Sequence, residues 1–236
     1  MKKRSIPNLM WLILLVFVGL IFISCKNDDD EPDTPAPSPT TLVSDEFKGN
    51  VLGSHWQWAN EPDQWDINTT RIDYLHFKGL AGANIWCDDN TSRLYQEIAS
   101  EQDFDVSTLI RGIWGNNASD VAGLVVKSAS SGEWVLIKLW MHGDGSGRLE
   151  FQTDCNDIIS PVPGSESQGG DIEIYLRIRK TGNDYTGYFK MAGGEDWVTI
   201  GTTQFSDLFP LQVGIFGGID SGDGELMVEV DYFRSE

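Results

Sequence analysis

From Leu42 to the C-terminus, segments in which apolar and polar residues alternate at every second position recur, separated by Gly, Asn, Asp and Ser. Successive side chains of a β-strand point to opposite faces, so this period commits a segment to one face on a core and one toward solvent or a ligand. Phe104, Val106, Thr108 and Ile110 alternate with Asp105, Ser107, Leu109 and Arg111. Ile172, Ile174, Leu176 and Ile178 alternate with Asp171, Glu173, Tyr175, Arg177 and Arg179, and Leu211, Val213 and Ile215 with Gln212, Gly214 and Phe216. Near the C-terminus, Leu226, Val228, Val230 and Tyr232 alternate with Glu225, Met227, Glu229, Asp231 and Phe233. No amphipathic helix longer than a turn or two competes with these strands. Many strands without helical crossovers predict an all-β fold, a two-sheet antiparallel jelly-roll sandwich. No repeat at a fixed period is present, which disfavours a propeller.

One hairpin can be set in register from its turn. Thr181-Gly182-Asn183-Asp184 places Gly first in a two-residue loop, the chemistry of a type II′ turn. Pairing outward sets Ile178 opposite Gly187, Leu176 opposite Phe189 and Ile174 opposite Met191 on an apolar face. The other face pairs Arg179 with Thr186, Arg177 with Tyr188 and Tyr175 with Lys190. A slip of one residue would mix the two sets.

The first 41 residues read as an address. Lys2-Lys3-Arg4 precedes an uncharged apolar run over 9–23, the pattern of a signal peptide and slightly short for a spanning helix. The run ends at Ser24-Cys25, which resembles a bacterial lipoprotein cleavage site: residues 1–24 are then the signal and Cys25 the lipidated N-terminus. Lys26-Asn27-Asp28-Asp29-Asp30-Glu31 resembles the signal that sends some Gram-negative lipoproteins to the outer face of the outer membrane. Pro32, Pro35, Pro37 and Pro39 make the rest of 25–41 a semi-rigid tether. Acids outnumber bases 36 to 17, a net charge of −19. Setting aside the basic leader and a tether of one lysine and five acids leaves about −18 on 42–236. Such a surface repels phosphate backbones, so nucleic acid is excluded as a partner.

Short motifs then follow one another in an order that resembles a known family. Asp45-Glu46-Phe47, Leu52-Gly53-Ser54-His55-Trp56-Gln57-Trp58 and Glu61-Pro62 open the series. Leu94-Tyr95-Gln96, Asp103-Phe104-Asp105-Val106, Ala122-Gly123-Leu124-Val125-Val126 and Leu176-Arg177-Ile178 continue it. Gly194-Glu195-Asp196-Trp197 with Ile200-Gly201, and Val230-Asp231-Tyr232-Phe233-Arg234, close it. Together these resemble the concanavalin A-like C-terminal domain of β-xylosidases over 44–235. The resemblance implies a lectin- and glucanase-type jelly roll. It also implies a domain that, in the xylosidases, sits beside a catalytic propeller and helps shape its sugar subsite. Because Leu42 follows directly on the tether, the chain is expected to carry the domain without the propeller.

Catalytic chemistry finds little support. Glycoside hydrolysis needs two carboxylates about 5–10 Å apart. The nearest set is Glu225, Glu229 and Asp231 on the last strand, in which the spacing of the glucanase acids is not reproduced. Asp171 and Glu173 are expected to form salt bridges with Arg177 and Arg179. No G-x-S-x-G elbow accompanies His55, His76 or His142. Asp220, Asp223 and Glu225 around two glycines form an oxygen-rich loop of the kind that holds calcium, so a structural calcium ion is a candidate there. Cys87 and Cys155 are either a disulfide, which an oxidising envelope allows, or two free thiols.

Sugar sites set aromatic rings against pyranose faces with polar groups around the rim. Trp58, Trp65, Trp86, Trp114, Trp134 and Trp140 are the candidate rings, while Trp56 and Trp197 are assigned to the core. Over 133–142, Trp134, Lys138, Trp140 and His142 share one face, and Val135, Ile137, Leu139 and Met141 form a core face. Together with Tyr175, Arg177 and Tyr188, the first set makes up the candidate ligand-binding residues. The expectation is a surface lipoprotein that binds carbohydrate without cleaving it, in a glycan-capture system beside a neighbouring glycan-processing protein. A hydrolase or lyase with a loop-assembled site, and a structural or partner-binding lipoprotein, are the alternatives.

Overall fold

The computed structural model describes residues 41–83, 85, 90–113, 120–141, 146–153, 157–159, 167–168, 172–206, 208, 210–219 and 226–236. Among them there is no helix. The strands are β1 (Gln57–Ala59), β2 (Trp65–Ile67), β3 (Leu75–Lys78), β4 (Leu80–Ala81), β5 (Ser92–Ile98), β6 (Phe104–Ile113), β7 (Asp120–Ser128) and β8 (Trp134–Met141). They continue as β9 (Ser146–Thr153), β10 (Asp157–Ile159), β11 (Ser167–Gln168), β12 (Ile172–Thr181), β13 (Asp184–Met191), β14 (Val198–Gln204), β15 (Leu211–Ile219) and β16 (Met227–Ser235). A seven-stranded sheet has the order β14-β13-β12-β6-β16-β3-β2, and a nine-stranded sheet the path β1-β5-β15-β7-β8-β9-β10, with β11 on β9 and β4 on β15. All pairs are antiparallel except the two-residue β4–β15 contact. The fold is the expected all-β two-sheet sandwich.

The inner faces meet in one core that takes Phe77, Val106, Leu176 and Phe189 from the first sheet and Leu94, Leu124, Ile137, Phe151 and Ile215 from the second. The β12–β13 hairpin has the register that its turn predicts, from Thr181 opposite Asp184 to Ile174 opposite Met191. Gly182 sits at φ +58°, as the first position of a type II′ turn requires. Gly187 faces inward against the other sheet: a Cβ there would lie 2.6 Å from the Phe151 ring.

The first and last motifs of the series clasp each other. Asp45 and Phe233 exchange backbone hydrogen bonds of 2.7 and 2.8 Å. The Asp45 carboxylate accepts from the Trp56 indole N–H at 2.9 Å, and the Trp56 ring packs edge-on against Phe233 at 5.0 Å. Arg234 grips Glu46 through two hydrogen bonds of 2.7 and 2.9 Å. Trp56 is buried, as expected.

The C-terminal alternation needs a correction. β16 shifts register against β6 between Val230 and Tyr232. The bulge sets two residues against one and reverses the parity of everything after it. Phe233, expected outside, is therefore fully buried in the core, and Tyr232 lies opposite Leu109 on the outer face. Before the bulge, β16 contributes to a charged row across the seven-stranded sheet: Glu173, Arg111, Glu229, His76 and Asp66 stand in register on five successive strands. Glu229 is almost completely buried and accepts from Arg111 at 2.7 Å and from Arg71. Burial works to raise the Glu229 pKa, but the hydrogen bonds and charges of Arg71 and Arg111 outweigh it and hold the carboxyl below its ordinary value.

Two outcomes follow from this packing. Gly187→Ala drives a methyl into the Phe151 ring and is expected to cost about 1–3 kcal/mol in urea unfolding, with activity-independent readout by fluorescence. Because the folded Glu229 pKa is depressed, its contribution is present above the unfolded value and lost as pH falls through the folded one. Glu229→Gln is therefore expected to be less stable than the parent at neutral pH, with the gap closing in the same assay as acid protonates the carboxyl, below the ordinary glutamate range. A gap that stays constant with pH would contradict this assignment.

Candidate functional site

The candidate ligand residues fall on opposite sides of the molecule. Trp134, Lys138 and Trp140 lie on the outer face of β8, in the nine-stranded sheet, and Tyr175, Arg177 and Tyr188 on the outer face of β12–β13, in the seven-stranded sheet. The core lies between the two faces, so the two sets cannot hold one small ligand. His142, Trp86, Trp114, Cys25, Cys87, Cys155 and the acidic loop residues Asp220, Asp223 and Glu225 lie outside the described residues. Trp58 and Trp65 pack against the main core, 5.7 Å apart, with Trp58 edge-on to Phe77.

On the seven-stranded face, rings and cations interleave. The Lys190 ammonium lies 4.5 Å from the Tyr175 centroid and 5.4 Å from that of Trp197. The Arg177 guanidinium is 5.6 Å from Tyr188 and 5.5 Å from Trp197. Trp197, expected in the core, is thus half-exposed on this face: β14 begins only at Val198, so the ring precedes the strand and folds over its cations. Arg177 and Arg179 do not pair with Glu173; both donate to Asp105, each Nε at 2.6 Å. Burial works to raise Asp105, and these two arginines more than reverse it, holding its carboxyl low.

The two acids of β16 are set differently. Glu229 is fastened to two arginines, and Asp231, raised chiefly by burial, is the extra residue of the bulge. A cleft of about 190 Å³, lined by Asp63, Gln64, Lys78, Gly79, Leu80 and Ala81, contains none of the expected residues.

The outer face of the nine-stranded sheet is different in kind. Trp134 is 2% exposed and belongs to a second apolar cluster with Ile85, Val121, Val125, Leu136 and Phe216, against which the half-buried Trp140 packs. Polar side chains are buried beside this cluster: Lys138 at 0%, Arg93 and Gln152 at 3%, Glu150 at 4%. In the β8–β9 register Lys138 stands opposite Glu150, Trp140 opposite Arg148 and Leu136 opposite Gln152. The Lys138 ammonium is 3.1 Å from the Glu150 carboxylate and 5.2 Å from the Trp140 centroid. Across the sheet, Arg93 donates to Gln212 at 3.2 Å, and the Tyr95 hydroxyl donates to Gln57 at 3.3 Å. Gln152 Oε1 and Arg148 Nε are buried without a hydrogen-bond partner. A sheet face that only packed would be apolar, since each buried polar atom left unpaired costs on the order of 1–3 kcal/mol. Arg148, Glu150 and Gln152 escaped the reading of the sequence, although they alternate with Leu149, Phe151 and Thr153 and so carry the same period-two signal.

Comparison with known proteins agrees with this architecture. The xylan beta-1,4-xylosidase from Bacillus halodurans C-125 superposes with a TM-score of 0.65 at 19% identity, covering 87% of this chain and 41% of that one. The Bacteroides ovatus protein described as xyloglucan PUL GH43B gives 0.64 at 18%, again with 87% and 41% coverage. The lectin UEA-II complexed with galactose gives 0.54 at 13%, covering 82% of this chain and 98% of that one. This chain thus spans about two fifths of the length of the two glycosidase-type chains. No curated protein matches the sequence. Residues 44–222 match the family described as the beta xylosidase C-terminal concanavalin A-like domain, and the chain belongs to that family.

Proposed function

We propose that this chain is a lipid-anchored protein of the outer-membrane surface whose sandwich binds an oligo- or polysaccharide without cleaving it, within a glycan-capture system. The observation that carries the reading is the nine-stranded sheet's outer face, where buried polar groups with unpaired atoms flank the half-buried Trp140. Rings set among fixed donors and acceptors suit polyhydroxyl ligands: the ring covers the apolar face of a pyranose while the polar groups fix its hydroxyls. A lectin of this fold that binds galactose supports the same reading. Glu150 is held by Lys138 on this face, which suits orientation of a ligand better than proton transfer to a glycosidic oxygen. The anchor rests on the basic start, the apolar run, Ser24-Cys25 and the acidic, Pro-rich tether. A neighbouring glycan-processing protein is part of the proposal, since the related xylosidase chains are more than twice as long as the part matched here.

The test is a glycan-panel binding assay with reducing-sugar release followed in the same wells, with and without calcium. Binding without release is expected, and Trp140→Ala should weaken it by about tenfold. Trp134→Ala is a poor probe, because emptying a fully packed indole site costs about 3–5 kcal/mol in stability. Sugar release would overturn the non-cleaving reading. The calcium arm tests the ion expected at Asp220, Asp223 and Glu225.

A further inference from the structure

We propose that the carbohydrate taken by the nine-stranded face carries a carboxylate, as a uronic acid does, and that Arg148 is the residue that recognises it. The proposal rests on the carbohydrate-binding reading above. With 36 acids to 17 bases, an arginine in this chain rarely lacks a partner. Among the described residues, Arg71 and Arg111 share Glu229, Arg177 and Arg179 share Asp105, Arg234 holds Glu46 and Arg93 donates to Gln212. Arg148 is the exception: it makes no hydrogen bond and no ion pair, although it is half-buried and its Nε is shut off from solvent.

The surroundings keep it so. Glu150, two residues along the same face, is taken by Lys138 at 3.1 Å. Trp140 stands directly opposite Arg148 in the register. A desolvated guanidinium with an open fork is matched by a carboxylate, which accepts two parallel hydrogen bonds and restores what burial removed. A six-membered ring bearing that carboxylate would lie against the Trp140 indole. Four residues further along β9, about 13 Å at strand rise, the unpaired Oε1 of Gln152 supplies an acceptor for a hydroxyl of a unit further along an oligosaccharide. The net charge of −19 repels an anion at a distance, so recognition has to come from such a local, buried cation rather than from the general field.

The experiment is isothermal titration calorimetry of the full chain in detergent. The probes are tetragalacturonate, tetramannuronate and glucuronate-substituted xylotetraose, the same three after reduction of their carboxyls to alcohols, and sulfated xylotetraose. At least one uronate should bind, and carboxyl reduction should weaken it by about tenfold or more. Arg148→Gln should lose a similar factor with an unchanged melting temperature, and Arg148→Lys should fall between, because an ammonium cannot form the bidentate pair. Equal affinity for reduced and unreduced forms would overturn the proposal while leaving carbohydrate binding intact, and so would a preference for the sulfated probe. If neutral and acidic glycans all fail to bind, both the proposal and the reading beneath it fall. The carboxyl-reduction arm needs no variant, so an Arg148 substitution that fails to fold does not protect the idea.

Discussion

A strand buried in a two-sheet sandwich must send alternate side chains to a shared core, and whatever remains is fixed on an outer face. The two outer faces of this sandwich resolve that division differently. The seven-stranded sheet uses its outer face for ion pairs and ring–cation contacts that saturate one another: Asp105 with two arginines, Glu229 with two more, Lys190 over Tyr175 and Trp197. The nine-stranded sheet instead buries a second apolar cluster together with charged groups, and leaves Arg148 Nε and Gln152 Oε1 unpaired. Both faces contain aromatic and basic residues, so composition does not separate them. The state of the polar atoms does.

The motifs that tie the chain to its family lie mostly away from that second face. Asp45 and Glu46 meet Phe233 and Arg234 in a clasp between the two ends of the domain, and Trp56 is pinned into it by its indole N–H. A clasp of this kind closes the sandwich irrespective of any ligand, so family membership carries the fold and does not by itself fix a function. Arg148, Gln152 and Trp140 lie within the matched range but outside the short motifs quoted from the sequence.

Much of the architecture was legible because strand period and turn chemistry are local. The β12–β13 register followed from Gly182 and from the sorting of two faces, with no long-range information needed. What stayed hidden depended on partners far along the chain. The bulge at Asp231 arises in the pairing of β16 with β6, more than a hundred residues away, and it exchanges the places of Tyr232 and Phe233. Trp197 looked like core because tryptophan usually is, yet Arg177 and Lys190 provide a second way to shelter an indole face. The candidate site was legible in half: the face of Trp134, Lys138 and Trp140 was found on β8, but its other wall on β9 requires knowing which strand is its neighbour.

Lys138 shows why that neighbour matters to chemistry as well as to geometry. Alone on β8 it reads as a cation beside tryptophans, one of the candidate ligand residues. Paired with Glu150 it becomes a neutral, buried unit that shapes the floor of the face and leaves the role of reading charge to Arg148. A buried ion pair contributes little net stability, because desolvation offsets most of the attraction. Its value here is positional: by occupying the carboxylate that stands nearest along β9, Lys138 keeps the guanidinium of Arg148 open beside Trp140 in a chain where acids outnumber bases about two to one.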